Sequence, residues 1–417
     1  MSKAPVSHNF QPAFGMRELR GEGIISLFHN SVIPIVFLSA LTLVSCSSLR
    51  FAQGVPESPA DWPMFGRSAS HTSAVDLSSV RLQKIWETNV GAGFGDYSPI
   101  VEHGTVFVGT LNGGVASINI RNGKKIGSKI FGAAIFSPPI IYGNLMVVAS
   151  SQAKYNLFGY DLESGKIVWN RRISDVESAP TYFDSSVYVA TVGGDVYRID
   201  PASGREVFHK HFDAAFRTSP ALCDSICVVG CDDGYIYGLS PLDGDLIWKH
   251  NAGSPVWCSA SVGDSLIFVG SNAGKLLVLT KMGKLSYELP KPSSGRDKVF
   301  NVLRYNGGDK ILSMPIADKE RVYFGCNDGN FYAVNKSNGS IAWVVRTGGP
   351  IIASPVQTRN QVIFGSFDEN LYVVNKSDGK VEQKIDLKGR VRTSVAVYKG
   401  YLVVCVENER VVGFKIE

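Results

Sequence analysis

Beyond the first 50 residues, apolar positions alternate with polar ones in short runs, and the three-to-four spacing of an amphipathic helix is absent. The stretch from Pro220 to Asn251 shows the unit: an apolar run, a turn, "ICVVGC", the turn Asp232-Asp233-Gly234, "YIYGLS", the turn Asp243-Gly244, then "LIWKH". Four β runs separated by turn residues predict one antiparallel sheet of four strands. Asn112-Gly113-Gly114, Gly193-Gly194, Ala273-Gly274 and Asn327-Asp328-Gly329 are the equivalent turns elsewhere. The unit occurs eight times, marked by Pro99, Pro138, Pro180, Pro220, Ala260, Pro315, Pro355 and Val395. The spacing is close to 40 residues except for a gap of 55 before Pro315. One insertion therefore interrupts the series, near residues 288–310.

Four-stranded repeats of this period predict an all-β, eight-bladed β-propeller of antiparallel blades. Closure follows from the two ends. The last copy, Val391 to Glu417, runs out after its third strand, and "LQKIWETNV" (Leu82 to Val90) supplies a fourth. Trp86 then takes the place that Trp169, Trp248 and Trp343 hold in their own blades, and pairing the ends removes two exposed edges.

These positions resemble the tryptophan-docking pattern of propellers with pyrroloquinoline-quinone-type repeats, in which a Gly turn is followed four residues later by Trp. Here the pairs are Gly165 and Trp169, Gly244 and Trp248, and Gly339 and Trp343. The resemblance implies that each indole wedges between blades, an upper bound of about 4 to 6 kcal/mol each from apolar burial. Phe208 and Tyr287, near that place in other copies, are expected to dock more weakly. The opening "DWPMFGRSASHTS" (Asp61 to Ser73) also looks like the lead-in of this repeat family. The family includes quinoprotein dehydrogenases, which the resemblance associates with calcium, a catalytic Asp, often a vicinal disulfide and in some a haem attachment sequence. This chain has no adjacent cysteine pair and no Cys-x-x-Cys-His. No catalytic residue, cofactor or metal is assigned; Asp232-Asp233 and Asp368-Glu369 read as turn residues.

The N-terminus predicts a location. Ser31 to Val44 is an apolar run too short to span a bilayer and suited to a signal-peptide core. It ends in Leu43-Val44-Ser45-Cys46, the pattern of a bacterial lipobox, so residues 1–45 are read as a signal peptide and Cys46 as the lipidated first residue. Arg17 and Arg20 are offset by Glu18 and Glu22, which makes Met16 an alternative start. Residues 46–61 are expected to form a flexible tether and 62–417 the propeller. Sorting rules for such lipoproteins associate Asp after the cysteine with inner-membrane retention; Ser47 implies delivery to the periplasmic face of the outer membrane.

A net charge of +5 on 417 residues, with no basic cluster interleaved with aromatics, excludes a nucleic-acid partner. Cys223, Cys227 and Cys231 have a metal-like spacing but fall across a hairpin, where small buried side chains explain them as well. His209, His211 and Asp213 alternate along one strand, either as cation ligands or as edge polarity. Lys291, Arg296, Lys298 and Arg304 in the insertion suit an anionic ligand or a solvated loop.

Propeller and lipobox together resemble the BamB family of outer-membrane assembly lipoproteins. That resemblance implies a non-catalytic, monomeric scaffold that binds the outer-membrane β-barrel assembly complex. The family's partner-contact loop, with its leucine pair, is represented here by "HFDAAFRTSP" (His211 to Pro220), which keeps an exposed-looking Phe216 and Arg217 as candidate partner-binding residues. The alternative is a lipid-anchored propeller that binds or senses another envelope ligand.

Overall fold

The computed structural model describes residues 48–53, 61–289 and 309–417; Cys46, the lipobox and most of the insertion lie outside the described residues. Eight four-stranded antiparallel sheets follow one another, and no helix forms among the described residues. Blade 1 spans Ile100–Ile130, blade 2 Ile140–Arg171, blade 3 Thr181–His211, blade 4 Ala221–Asn251, blade 5 Ser261–Leu289, blade 6 Ile316–Arg346 and blade 7 Val356–Asp386. Blade 8 combines three C-terminal strands from Ala396–Tyr398 to Arg410–Ile416 with Leu82–Asn89 as its outermost strand. The ring closes where the sequence placed its seam.

Each marker proline or its substitute stands just before an innermost strand, where a residue without an N–H costs no ladder bond. The second and third strands of each blade are buried almost throughout, while the fourth alternates, as in Leu246–Asn251. The apolar core is divided into seams between neighbouring blades. Ile267, Val269 and Leu277 of blade 5 pack with Ile226, Val228 and Ile236 of blade 4, for example.

Blade docking follows one rule with two exceptions. On each outer strand one residue faces a particular partner on the third strand: Trp86 opposite Gly413, Trp169 opposite Gly159, Trp248 opposite Gly238 and Trp343 opposite Ala333. Opposite an indole the partner must be small, since a Cβ on Gly159 would sit 2.2 Å from the Trp169 ring; Phe208 and Tyr287, on the outer strands of blades 3 and 5, face Arg198 and Val278 instead. Each indole Nε1 then donates across the seam to a carbonyl of the next blade, at Ile120, Pro201, Lys281 and Lys376 respectively, over 2.7 to 2.9 Å. The glycine that receives the ring belongs to that next blade. Gly123, Gly204, Gly283 and Gly379 lie over Trp86, Trp169, Trp248 and Trp343, each with φ near +70° and with the ring only 2.4 to 2.8 Å from where a Cβ would stand, which leaves no room for a side chain. Gly244 and Gly339 accordingly receive Phe208 and Tyr287 from the preceding blades, and not the tryptophans that follow them in sequence.

The exceptions are Ser128 in blade 1 and Gln383 in blade 7, which occupy the same register position. Gln383 docks by hydrogen bonds, accepting from Leu82 N at 2.7 Å and donating to Leu82 O at 3.3 Å, and so ties blade 7 to the closing strand. Ser128 is too short to cross its seam. Residues 48–53 fill the gap: Leu49 is fully buried among Phe131, Phe158, Tyr160 and Leu162, and Ser48 stands over Gly165. Phe51 stacks on His103 at 4.3 Å, and Ala52 N donates to Thr105 Oγ1 at 2.6 Å. Residues 48–53 thus differ from the tether expected over 46–61, because their apolar side chains have a vacancy to enter.

A second N-terminal stretch lines the central channel. Its backbone bonds the free edges of innermost strands: Trp62 with Val101, Pro63 with Ile141, Ala69 with Leu222, Ser70 with Val262, and Ser73 and Val75 with Gln357. This strap therefore crosses blades 1, 2, 4, 5 and 7. Its turn needs Gly66, where a Cβ would lie 2.8 Å from the His71 Cα. His71 is fully buried, and its Nδ1–H donates to the Ala260 carbonyl at 2.9 Å.

Candidate functional site: the central funnel

The connections from each outer strand to the next innermost strand are nine residues long in six of the eight blades but differ in side chains, and they converge on one face of the ring. There they form a funnel of about 750 Å³ lined by Phe94, Asp96, Tyr97, Phe136, Glu177, Arg217, Trp257, Ile352 and Arg392, with Phe65 of the strap reaching in.

Charge in the recess is arranged in pairs. Arg217 Nη1 donates to Glu177, and its Nε donates to Asp232 Oδ2 at 3.1 Å. The other Asp232 oxygen accepts from Trp257 Nε1 at 2.7 Å, and the Lys310 ammonium lies 4.5 Å from the Trp257 ring centroid. Arg392 Nε donates to Asp96 at 2.8 Å. Burial pulls the Arg217 pKa down, but the hydrogen bond and charge of Glu177, then those of Asp232, outweigh it and leave it raised. Its positive charge is permanent at any physiological pH. Tyr97 donates to the Arg217 carbonyl at 3.2 Å, and burial pushes its phenol up to about 12. It cannot serve as a base near neutrality. What remains accessible is an aromatic and ionic rim, with Trp257 38% and Leu111 40% exposed. Such a rim suits recognition by contact and by exchange of ion pairs.

Of the two residues singled out for partner binding, Arg217 lies in this wall. Phe216 does not; it is fully buried in the seam of blades 3 and 4, edge-on to Phe212 and Tyr237. The expectation of an exposed Phe216 is corrected by its pairing with Cys231, which turns the ring inward while its neighbour faces the funnel. Trp257 was missed because its position in the blade carries no repeat signal. His209 and His211 both bond Asp195 Oδ1, at 2.8 and 2.9 Å, and Asp213 takes no part. Cys227, Cys231 and Cys258 are buried free thiols pushed up to about 12 by desolvation, which makes them small core side chains at neutral pH.

A quinone with its calcium, the group from which this repeat takes its name, needs carboxylate and amide oxygens that converge on one point. The funnel's residues do not fit. Asp96 is committed to Arg392, Glu177 shares Arg217 with Asp232, and Glu407 lies 3.9 Å from Arg390. Among the described residues, the group of side chains able to share a cation is Asp61, Glu102 and His103, none of which lines the funnel.

Eight four-stranded blades, indole docking between them and a closing N-terminal strand define a β-propeller of the pyrroloquinoline-quinone repeat type. A family profile described as "Outer membrane protein assembly factor BamB" matches residues 74–181, 173–299 and 232–416. The chain belongs to that family. It is 25% identical over 187 residues to the outer membrane protein assembly factor BamB of Burkholderia pseudomallei, an alignment covering 44% of each protein, so it matches less than half of that relative's length. Among solved structures it resembles BamB from Moraxella catarrhalis, with TM-score 0.62, 16% identity, and 80% and 100% of the two chains covered. The quinohemoprotein alcohol dehydrogenase of Comamonas testosteroni matches with TM-score 0.72, 15% identity, and 85% and 80% covered. At these identities the structural likenesses speak for the fold alone.

Proposed function

We propose that this propeller is a non-catalytic scaffold, held at the periplasmic face of the outer membrane by lipid on Cys46, that binds the outer-membrane β-barrel assembly machinery through its funnel face. The observation that carries the reading is the Arg217 cluster: a permanent cation between Glu177 and Asp232, beside an exposed indole, on a rigid rim. Aromatic and arginine side chains of this kind dominate interface energetics. The paired state of the funnel's charges supports binding over chemistry, and family membership supports the choice of partner.

The reading is tested by titrating the protein with the purified periplasmic domains of the barrel-inserting protein. Trp257→Ala is expected to weaken binding by tenfold or more with little change in thermal midpoint, because the indole is exposed. Equal affinity of wild type and variant would place the interface elsewhere.

A second reading rests on the funnel's volume, which lies within the range of small-molecule sites. A propeller that senses an envelope ligand would retain that ligand in native mass spectra, and Trp257→Ala would release it.

A further inference from the structure

The charge of this protein is distributed unevenly along the chain. Between Glu102 and Asp161 there is no acidic residue, while Arg121, Lys124, Lys125, Lys129 and Lys154 fall within that span. Arg121, Lys124 and Lys125 are exposed at the last hairpin of blade 1, and Lys129 follows on its outer strand. None of these four forms an ion pair among the described residues. The outer strand of blade 7, by contrast, mixes its signs with Glu382, Lys384 and Asp386.

The same corner is where the chain enters the ring. Ser48 stands over Gly165 in the corresponding hairpin of blade 2, and Leu49 fills the vacancy that Ser128 leaves in the seam between the two blades. Arg50, in the same wedge, is exposed. Cys46 precedes Ser48 by two residues, a reach of at most about 7 Å. An anchor there has almost no slack, so lipid on Cys46 brings this corner to the membrane surface. These hairpins join third to fourth strands, at the opposite end of the blades from the funnel.

We propose that the corner formed by Arg50, Arg121, Lys124, Lys125 and Lys129 is a contact surface for anionic lipid headgroups, which fixes the propeller with its funnel turned away from the leaflet. The proposal rests on the lipid-anchor reading for its geometry but not for its test. Basic side chains near an anionic surface each strengthen binding by about fivefold, additively in free energy while they remain within a Debye length.

The test uses the chain from residue 46 onward carrying Cys46→Ser, so that no acyl chain contributes. It is partitioned onto vesicles of phosphatidylethanolamine alone or with phosphatidylglycerol. Partition onto the anionic vesicles is expected to exceed that onto the neutral ones and to fall with added salt. Lys124→Gln, Lys125→Gln and Lys129→Gln together should lower it by roughly a hundredfold. Lys380→Gln, Lys384→Gln and Lys388→Gln, an equal loss of charge on and beside the outer strand of blade 7, should change it little. Equal losses in the two triple variants, or partition indifferent to phosphatidylglycerol, would overturn the proposal. Acylation of Cys46 is read separately, from the intact mass of the wild-type protein extracted from membranes, so a failed anchor and a failed corner give different results.

Discussion

Leu49→Ala tests whether the first described residues are part of the fold. The side chain is fully buried in the seam of blades 1 and 2, so its truncation in a fixed framework costs about 2 to 5 kcal/mol. The framework is not fixed on this side, because the segment can leave. Docking of Ser48 to Gln53 gains the burial of Leu49, Phe51 and Ala52 and the bond from Ala52 N to Thr105, against an ordering cost of about 1 to 2 kcal/mol per residue. These opposing terms are of similar size, so losing about 2 kcal/mol of leucine transfer energy shifts the segment toward the undocked state. Hydrogen exchange of the peptide containing Ala52 should accelerate by roughly thirtyfold in Leu49→Ala, since about 1.4 kcal/mol is a factor of ten. The global unfolding midpoint should move less than for a central core leucine.

A companion variant sharpens the test. Ser128 faces Ala116, small enough to accept a ring, and Gly165 waits across the seam as the other receiving glycines do. Ser128→Trp should therefore displace the segment in wild type and restore stability in the Leu49→Ala background. Unchanged exchange in Leu49→Ala, or exchange in wild type as fast as in a free peptide, would refute the wedge.

Trp343→Ala removes a buried indole and its bond to the Lys376 carbonyl, and should lower stability by about 3 to 5 kcal/mol in a denaturant titration. Gln383→Ala, which breaks the two bonds to Leu82, should cost about 1 to 2 kcal/mol and speed exchange of the closing strand Leu82–Asn89 more than that of blades 3 to 5. His71 has its pKa lowered from 6.5 to about 4, by burial first, with the Ala260 bond opposing. The unfolded chain therefore binds a proton that the native state refuses. Stability is fully present above about pH 6.5 and declines as pH falls toward 4, by about 3 kcal/mol for this group. His71→Gln should flatten that part of the pH profile, read as the unfolding midpoint from pH 7 to 4.

Repetition made the fold legible. The marker prolines, hairpin glycines and tryptophans recur at one period, so blade number, strand order and the seam at Leu82 could be read from spacing. Repetition also concealed what is singular. Ser128 looks like any serine until the register shows that it stands where Trp169 stands in the next blade. Leu49 lies outside the repeats and close to the apolar run from Ser31 to Val44, so nothing in the sequence separated it from a linker. The funnel is built by connections that differ from blade to blade, which is why Arg217 was found only through family resemblance and Trp257 not at all. Phe216 was misplaced for a related reason: neighbouring residues in an extended segment face opposite ways, and the sequence did not say which one faced the seam.

Extraction of the protein from membranes, followed by identification of what comes with it, bears on the scaffold role as a whole. Recovery of the β-barrel assembly complex, reduced in Trp257→Ala at equal protein level, is the expected result. A different stable partner, recovered in place of that complex and unaffected by Trp257→Ala, would contradict it.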